Sequence, residues 1–412
     1  MYAPPSPQHH AANVDYFPSS AVEIVKLDIT FDAGSCRQPQ PCVAHAASQL
    51  MGEATATRNA AAVADFLDFR GIVVERSATT VSACMTFYFL RRYADELLPL
   101  IAEMVQEPLL TPQIFHAYCA KRRQQLQTNA LKTSRVARNH FYAALFGSSH
   151  PLGIYAVADD VDRLTPDMIV AFWRQHYRLD RARILLSGAV DDALLHLVDT
   201  HLAAGVYIPS EVPAFPAPAA SAVRHLSIPL TPTPPQSSIY VGRILPIPWH
   251  HKDYARFMVL NTLLGGYFGS RLMSNLREDK GYTYGIYSQT QIFLGYIVQY
   301  IFADVATTAV DDALRQVDEE LLRLQQEPVG QDELVRVCTF MRGDYLRSVD
   351  GVFEIAERYR QMVDTAIDER LTENLLDALQ STTPAQLQHL AAAYLDPAQL
   401  LHVTAGADTA KC

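Results

Sequence analysis

The first side chain placed to do metal chemistry is His45. It sits in "PCVAHAASQLMGEATATR", residues 41–58, after a short apolar lead-in on an Ala/Leu-rich helical stretch. Helix positions three and four residues on share its face. They hold Ser48 and Gln49, a hydroxyl and a neutral amide, so the metal chemistry thins out after one histidine. A second constellation lies at residues 263–288, "LLGGYFGSRLMSNLREDKGYTYGIYS". Gly265, Gly266 and Gly269 permit a sharp turn or a close backbone approach. No GK[ST] follows them, so they do not form a P-loop. Arg277 and Tyr284 flank the helix-to-strand corner that comes next. A guanidinium and a phenol there can both donate hydrogen bonds to a peptide carbonyl or carboxylate.

Other candidate ligands are scattered. The six cysteines (Cys36, Cys42, Cys84, Cys119, Cys338, Cys412) show no CxxC spacing, which argues against a cysteine zinc site. Cys36 and Cys42 flank "RQPQP" and could close a small loop in an oxidising compartment. His9-His10 and His250-His251 are adjacent pairs that diverge on a helix or strand, and His196 and His201 are five apart. From Leu109 through Ala158 there is no Asp or Glu, while Lys121, Arg122, Arg123, Lys132, Arg135 and Arg138 fall in that stretch. It reads either as a solvated basic helix face or as a positive wall toward an acidic partner.

These residues need elements to hold them. At 412 residues the chain exceeds one ordinary core. Its 49% hydrophobic and 19% charged content is that of a globular protein, and a net charge of −10 argues against nucleic acid as a partner. No apolar run approaches the roughly 18–20 residues of a membrane span. Residues 1–20 carry no Lys or Arg and no apolar core, so they read as a disordered segment and not as a secretory leader. The compartment stays open: periplasmic if a leader was removed, otherwise cytoplasmic.

The chain repeats itself. "LTPDMIVAFWRQHYRLDRARILLSGAVDD" and "TTPAQLQHLAAAYLDPAQLLHVTAGAD" each predict a Thr-capped, Pro-led helix, a break, then an apolar strand ending in Gly. Pro166 to Pro384 and Gly188 to Gly406 are both 218 apart, and Pro108 to Pro328 is 220. Each half is then α+β, a sheet covered by helices, spanning 21–206 and 239–412. Between them, residues 207–238 hold eight of the 24 prolines and predict a stiff extended linker. The same offset sends His45 to Leu264, so its helix has a counterpart that ends in the glycine turn.

The stretch from the glycines to Tyr284 resembles the C-terminal-domain signature of M16 metallopeptidases, the pitrilysin/insulinase-like and mitochondrial-processing-peptidase-like family. "SSHPLGIYAVADDVDRLTPDMIVAFWRQHYRLDRARILLSGAVDD" resembles the end of that family's N-terminal domain. The resemblance implies two homologous LuxS/MPP-like domains, each a mostly antiparallel sheet covered by helices. It implies that Arg277 and Tyr284 bind substrate beside a zinc site in another domain or subunit. Active members carry HxxEH on the first helix and a Glu about 75 residues on: two His bind Zn²⁺, the Glu between them activates water, and the distal carboxylate completes the ligands. Laid on this chain, HxxEH becomes His45-Ala46-Ala47-Ser48-Gln49, and the distal carboxylate should fall near Gln124–Gln127. Three of the four groups are missing.

The expectation is therefore a non-catalytic subunit that binds no zinc. A catalytic M16 subunit with intact HxxEH would bring the zinc, forming a heterodimer that cleaves peptides. The alternatives are a non-enzymatic scaffold or peptide-binding module, as in respiratory-complex core subunits that resemble these peptidases, or a partner in processing one dedicated precursor peptide, as in cofactor biosynthesis.

Overall fold

The computed structural model describes residues 5–203, 208, 214–219 and 222–406. The first half runs β1 (Gln8–Ala11), β2 (Val14–Pro18), β3 (Ile24–Phe31), α1 (Val43–Leu50), α2 (Ala60–Phe69), β4 (Val73–Ala78), β5 (Ala83–Leu90), α3 (Ala94–Gln106), α4 (Pro112–Ala130), α5 (Thr133–Phe146), α6 (Ala158–Asp162), α7 (Pro166–His176), β6 (Arg183–Gly188) and α8 (Asp192–His201). The second runs β7 (His225–Pro229), β8 (Gln236–Leu245), α9 (Lys252–Asn261), β9 (Thr283–Phe293), β10 (Tyr296–Ala306), α10 (Val310–Gln326), α11 (Gln331–Arg347), α12 (Val352–Thr365), α13 (Arg370–Ser381), α14 (Pro384–Tyr394) and β11 (Leu401–Gly406). Two π-helical turns, 262–266 and 273–279, separate α9 from β9.

The fold is α+β and duplicated. One sheet has the order β1-β2-β6-β3-β5-β4 and the other β7-β11-β8-β10-β9, so equivalent strands hold equivalent places. In both sheets one pair, β2/β6 or β7/β11, is parallel and the others are antiparallel. The repeat landmarks seen in the sequence open or close matched elements. Thr165 caps α7 by accepting from the Met168 amide, and Thr383 caps α14 by accepting from the Gln386 amide. Leu264 lies in the π-helical turn that closes α9, as the offset places it.

Two expectations on boundaries are corrected. Residues 1–20 are not wholly disordered, because 8–18 form β1 and β2. Val14 and Phe17 are buried, and β2 pairs with β6, which gives this polar segment an apolar anchor. The linker expected over 207–238 ends sooner, since 225–229 form β7 and pair with β11, and β8 begins at Gln236. Residues 207, 209–213 and 220–221 of that stretch lie outside the described residues.

On β3 the odd positions Val25, Leu27, Ile29 and Phe31 join the core built with α1, α3 and α7. The even positions Lys26, Asp28 and Thr30 are polar, yet they too are buried. They are covered by α12 from the other half: Lys26 Nζ meets Glu357 Oε2 at 2.8 Å, and Asp28 Oδ2 at 3.2 Å. The exchange is reciprocal. From the first half, α5 sends Phe141, Tyr142, Leu145 and Phe146 against Tyr240, Val298, Tyr300, Leu401 and Val403 of the second sheet. Each sheet is thus covered on one face by its own helices and on the other by a helix of its twin. Cys36, Cys42, Cys84, Cys119 and Cys338 are free thiols, so the Cys36–Cys42 loop is not closed; Cys412 lies outside the described residues.

Candidate functional site

Helix α1 begins at Cys42, whose left-handed backbone (φ 77°) turns the chain sharply into the helix. Its Ala46, Ala47 and Leu50 enter the core, and Trp173 of α7 donates its indole N–H to the Ala47 carbonyl at 2.8 Å. This leaves His45 and Gln49 half-buried on the outer side, facing α4 and β4. His45 Nδ1 shares a hydrogen bond with Tyr118 Oη at 2.9 Å. Burial, reinforced by the nearby Arg122 guanidinium, pushes the His45 pKa down to about 4, so the ring is neutral.

The two positions beside His45 have been given structural work. Ser48 Oγ donates to the Ser77 carbonyl at 3.0 Å, and Gln49 Nε2 donates to the Arg76 carbonyl at 3.1 Å. Arg76 Nε returns a bond to the Met51 carbonyl at 3.0 Å. Strand β4 therefore presents carbonyl oxygens to α1 and needs donors there. A carboxylate there would face those oxygens with no proton to share.

The helix facing α1 differs in register from the spacing argument. Gln124, Gln125 and Gln127 point to solvent, and the side chains set against His45 are Tyr118 and Arg122, about a turn or more earlier. An i, i+4 Tyr/Arg pair on α4 was the signal available in the sequence. A phenol, a guanidinium, a hydroxyl and an amide do not make a zinc donor set, and the positive charge of Arg122 opposes any cation beside His45. Among the described residues no group of three or more His, Cys, Asp or Glu is placed to hold a metal. The basic stretch is also not one wall. Arg122 faces inward, Arg123 pairs with Asp162, and Arg138 lies over the Tyr142 ring at 5.2 Å beneath the second sheet.

In the second half the glycines serve close approach. Gly265 breaks the π-helical turn (φ −158°, ψ 17°), and a Cβ there would sit 2.6 Å from the Ser288 amide nitrogen. The contact is clamped by Asn261, whose Nδ2 donates to the Ser288 carbonyl at 3.0 Å and whose Oδ1 accepts from Ser288 Oγ at 2.6 Å. Gly266 packs on Thr262 and Gly269 on the Tyr267 ring. The next turn is moored twice. Arg271 forms a two-pronged pair with Glu333 at 2.9 Å each, and Asn275 Nδ2 donates to Glu320 Oε1 at 2.8 Å.

Arg277 closes that turn and Tyr284 opens β9, on either side of the corner as the sequence places them. Tyr284 is 90% exposed. The Arg277 guanidinium lies over the ring of Phe268, 4.5 Å from its centroid, a contact the sequence reading missed. No hydrogen bond, ion pair or ring contact joins Arg277 or Tyr284 to His45, Ser48 or Gln49. The two halves of the chain thus carry two separate constellations, one closed by hydrogen bonds and one open to solvent.

Comparison with known proteins bears on the family and the fold. Residues 18–154 match the family model for insulinase (peptidase family M16), and residues 163–340 match that for the peptidase M16 inactive domain. An uncharacterized zinc protease of Mycobacterium bovis is 25% identical over 306 residues, 70% of this chain and 67% of the relative. The crystal structure of a peptidase M16 inactive domain from Pseudomonas fluorescens superposes with a TM-score of 0.83 at 19% identity, covering 98% of both chains. The periplasmic protease PqqL of Escherichia coli superposes with a TM-score of 0.75 at 12% identity, covering 98% of this chain but 47% of that one. The chain belongs to the M16 peptidase family, as a non-catalytic member.

Proposed function

We propose that this chain is the zinc-free subunit of a two-chain M16 endopeptidase. A partner chain with intact HxxEH supplies zinc, base and water. This chain supplies half of the chamber wall and presents Arg277 and Tyr284 to the peptide held at the partner's metal. The observation that carries the reading is the contrast between the two constellations. His45, Ser48 and Gln49 are tied into the fold by hydrogen bonds, while among the described residues the side chains of Arg277 and Tyr284 make none, Arg277 having only a 3.6 Å ion pair with Glu278. Donors held at fixed positions next to a partner's metal would bind a scissile carbonyl most strongly as charge develops on it.

The test is reconstitution with an HxxEH-bearing M16 chain from the same genome. The expected result is chelator-sensitive peptide cleavage by the pair and none by this chain alone. Arg277→Ala with Tyr284→Phe should lower kcat/KM of the pair by about 10²-fold or more, the size of effect seen when positioned donors are lost. Full activity in the double variant would favour the scaffold reading, and chelator-sensitive cleavage by this chain alone would overturn the proposal.

A further inference from the structure

We propose that Phe268 is a positioning residue for Arg277: it holds the guanidinium by its face and leaves the N–H edge free for a carbonyl or carboxylate of a bound peptide. The inference rests on the peptide-binding reading of Arg277 given above. An exposed phenylalanine alone needs no explanation, because apolar atoms make up much of any protein surface. Phe268 is 65% exposed, sits between Gly266 and Gly269, and has a cation 4.5 Å from its ring centroid. A stacked guanidinium uses its π face and none of its five N–H donors. Those donors stay open here. Among the described residues the ion pair recorded for Arg277 is with Glu278, Nη1 to Oε1 at 3.6 Å, beyond hydrogen-bond reach.

The neighbouring arginine shows the alternative. Arg271 commits both prongs to Glu333 and has no capacity left for a planar acceptor on that edge. The backbone that carries Arg277 is held by other means. Asn261–Ser288 clamps the turn before Phe268, and Asn275–Glu320 clamps the turn that carries Arg277. Both members of the stack therefore stand on fixed backbone, and the ring sets the plane of the guanidinium. Tyr284, exposed on the far side of the corner, can then add its phenol to the same acceptor.

The experiment uses the full chain and two readouts. The first needs no ligand: the Arg277 Nε–H resonance, assigned by its loss in Arg277→Lys, should carry a ring-current shift. The shift should persist in Phe268→Tyr and vanish in Phe268→Leu. The second is binding of fluorescein-labelled β-casein, an unfolded polypeptide. Phe268→Leu should weaken it about two- to fivefold, the range of an exposed cation–π contact, and Phe268→Tyr should restore it. In an Arg277→Ala background the Leu substitution should add nothing, because nothing is left to position. If Phe268→Leu keeps the resonance shift and the affinity while Arg277→Ala loses affinity, the positioning role is wrong and the peptide-binding reading stands. If Phe268→Leu costs the same with and without Arg277, the ring is a contact in its own right and the proposal is overturned. If neither the wild type binds casein nor Arg277→Ala with Tyr284→Phe changes anything, the peptide-binding reading itself falls.

Discussion

At the scale of single residues, α1 and the glycine turn use their polar side chains differently. Loss of a metal site by drift would leave ligand positions with unmatched polar atoms. Here Ser48 and Gln49 each donate to a carbonyl of β4, and Tyr118 occupies the free face of His45. These positions are built around donors. This leads to a prediction about restoration. Ser48→Glu with Gln49→His would place an acceptor carboxylate against the Ser77 carbonyl and leave the added imidazole lone pair without a donor, beside the Arg122 charge. Burial of polar groups without partners costs about 1–3 kcal/mol each. The double variant should therefore melt several degrees below the wild type and hold no more zinc by elemental mass spectrometry after dialysis. Zinc retained at one equivalent would show that the donor set was the only obstacle. The missing HxxEH was legible in the sequence because ligand chemistry depends on residue type at fixed spacing. The replacement partners Tyr118 and Arg122 were not, because which turn of α4 meets α1 is set by packing between distant segments. Phe268 escaped for a related reason: a ring–guanidinium contact between residues nine apart depends on the path of two irregular turns.

At the scale of elements, the duplication was readable because Thr-Pro helix starts and Gly strand ends are local signals that recur at one offset. The parallel strands β2 and β7 were missed because both are short and fall in stretches dominated by polar or proline residues. The alternation on β3 was visible, but it predicts a strand with one wet face. The polar face is instead dry and salt-bridged to α12. That crossing has a pH dependence. Burial alone would raise the Glu357 carboxyl pKa, but hydrogen bonds from Arg360 and Lys26 outweigh it and hold the group down at about 2. A carboxylate with a depressed folded pKa adds stability that is present above its unfolded value and is lost as pH falls through the folded one. The window here runs from about 4.5, the ordinary value, down to about 2. Lys26 shifts the other way overall: burial lowers its pKa, but Asp28 and Glu357 raise it further, so its contribution fades only at strongly alkaline pH. Glu357→Gln should therefore lower the melting temperature at pH 7 and flatten its decline between about pH 4.5 and pH 2. An unchanged acid slope in thermal melts of Glu357→Gln would place the acid sensitivity elsewhere.

At the scale of the whole molecule, the exchange of α5 and α12 decides whether this is two domains or one body. In a chain with two separate domains joined by a linker, each half would keep its own core and unfold on its own. Here the apolar face of α5 is completed only by Tyr240, Val298, Tyr300, Leu401 and Val403 of the other half, and α12 closes over β3 and β6 with Ile355 and Ala356 against Phe17 and Leu185. Neither sheet has both faces covered without its twin, so stability is shared. This rigidity suits the proposed role, in which Arg277 and Tyr284 would have to stay in fixed relation to a partner's metal, since small displacements of positioning groups are costly in catalysis. The consequence can be measured. Phe141 has no exposed surface and belongs by sequence to the first half, but its ring packs 5.6 Å from Tyr240 and 6.3 Å from Tyr300. Phe141→Ala should cost about 3–5 kcal/mol, the usual loss for a fully buried phenylalanine. The loss should appear as a single calorimetric transition shifted downward. Amide exchange should accelerate in β3 and β5 of the first sheet as well as in β8 and β10 of the second. Two resolved transitions, with exchange accelerated in the second sheet alone, would mean the halves are thermodynamically independent and that α5 only rests on its neighbour.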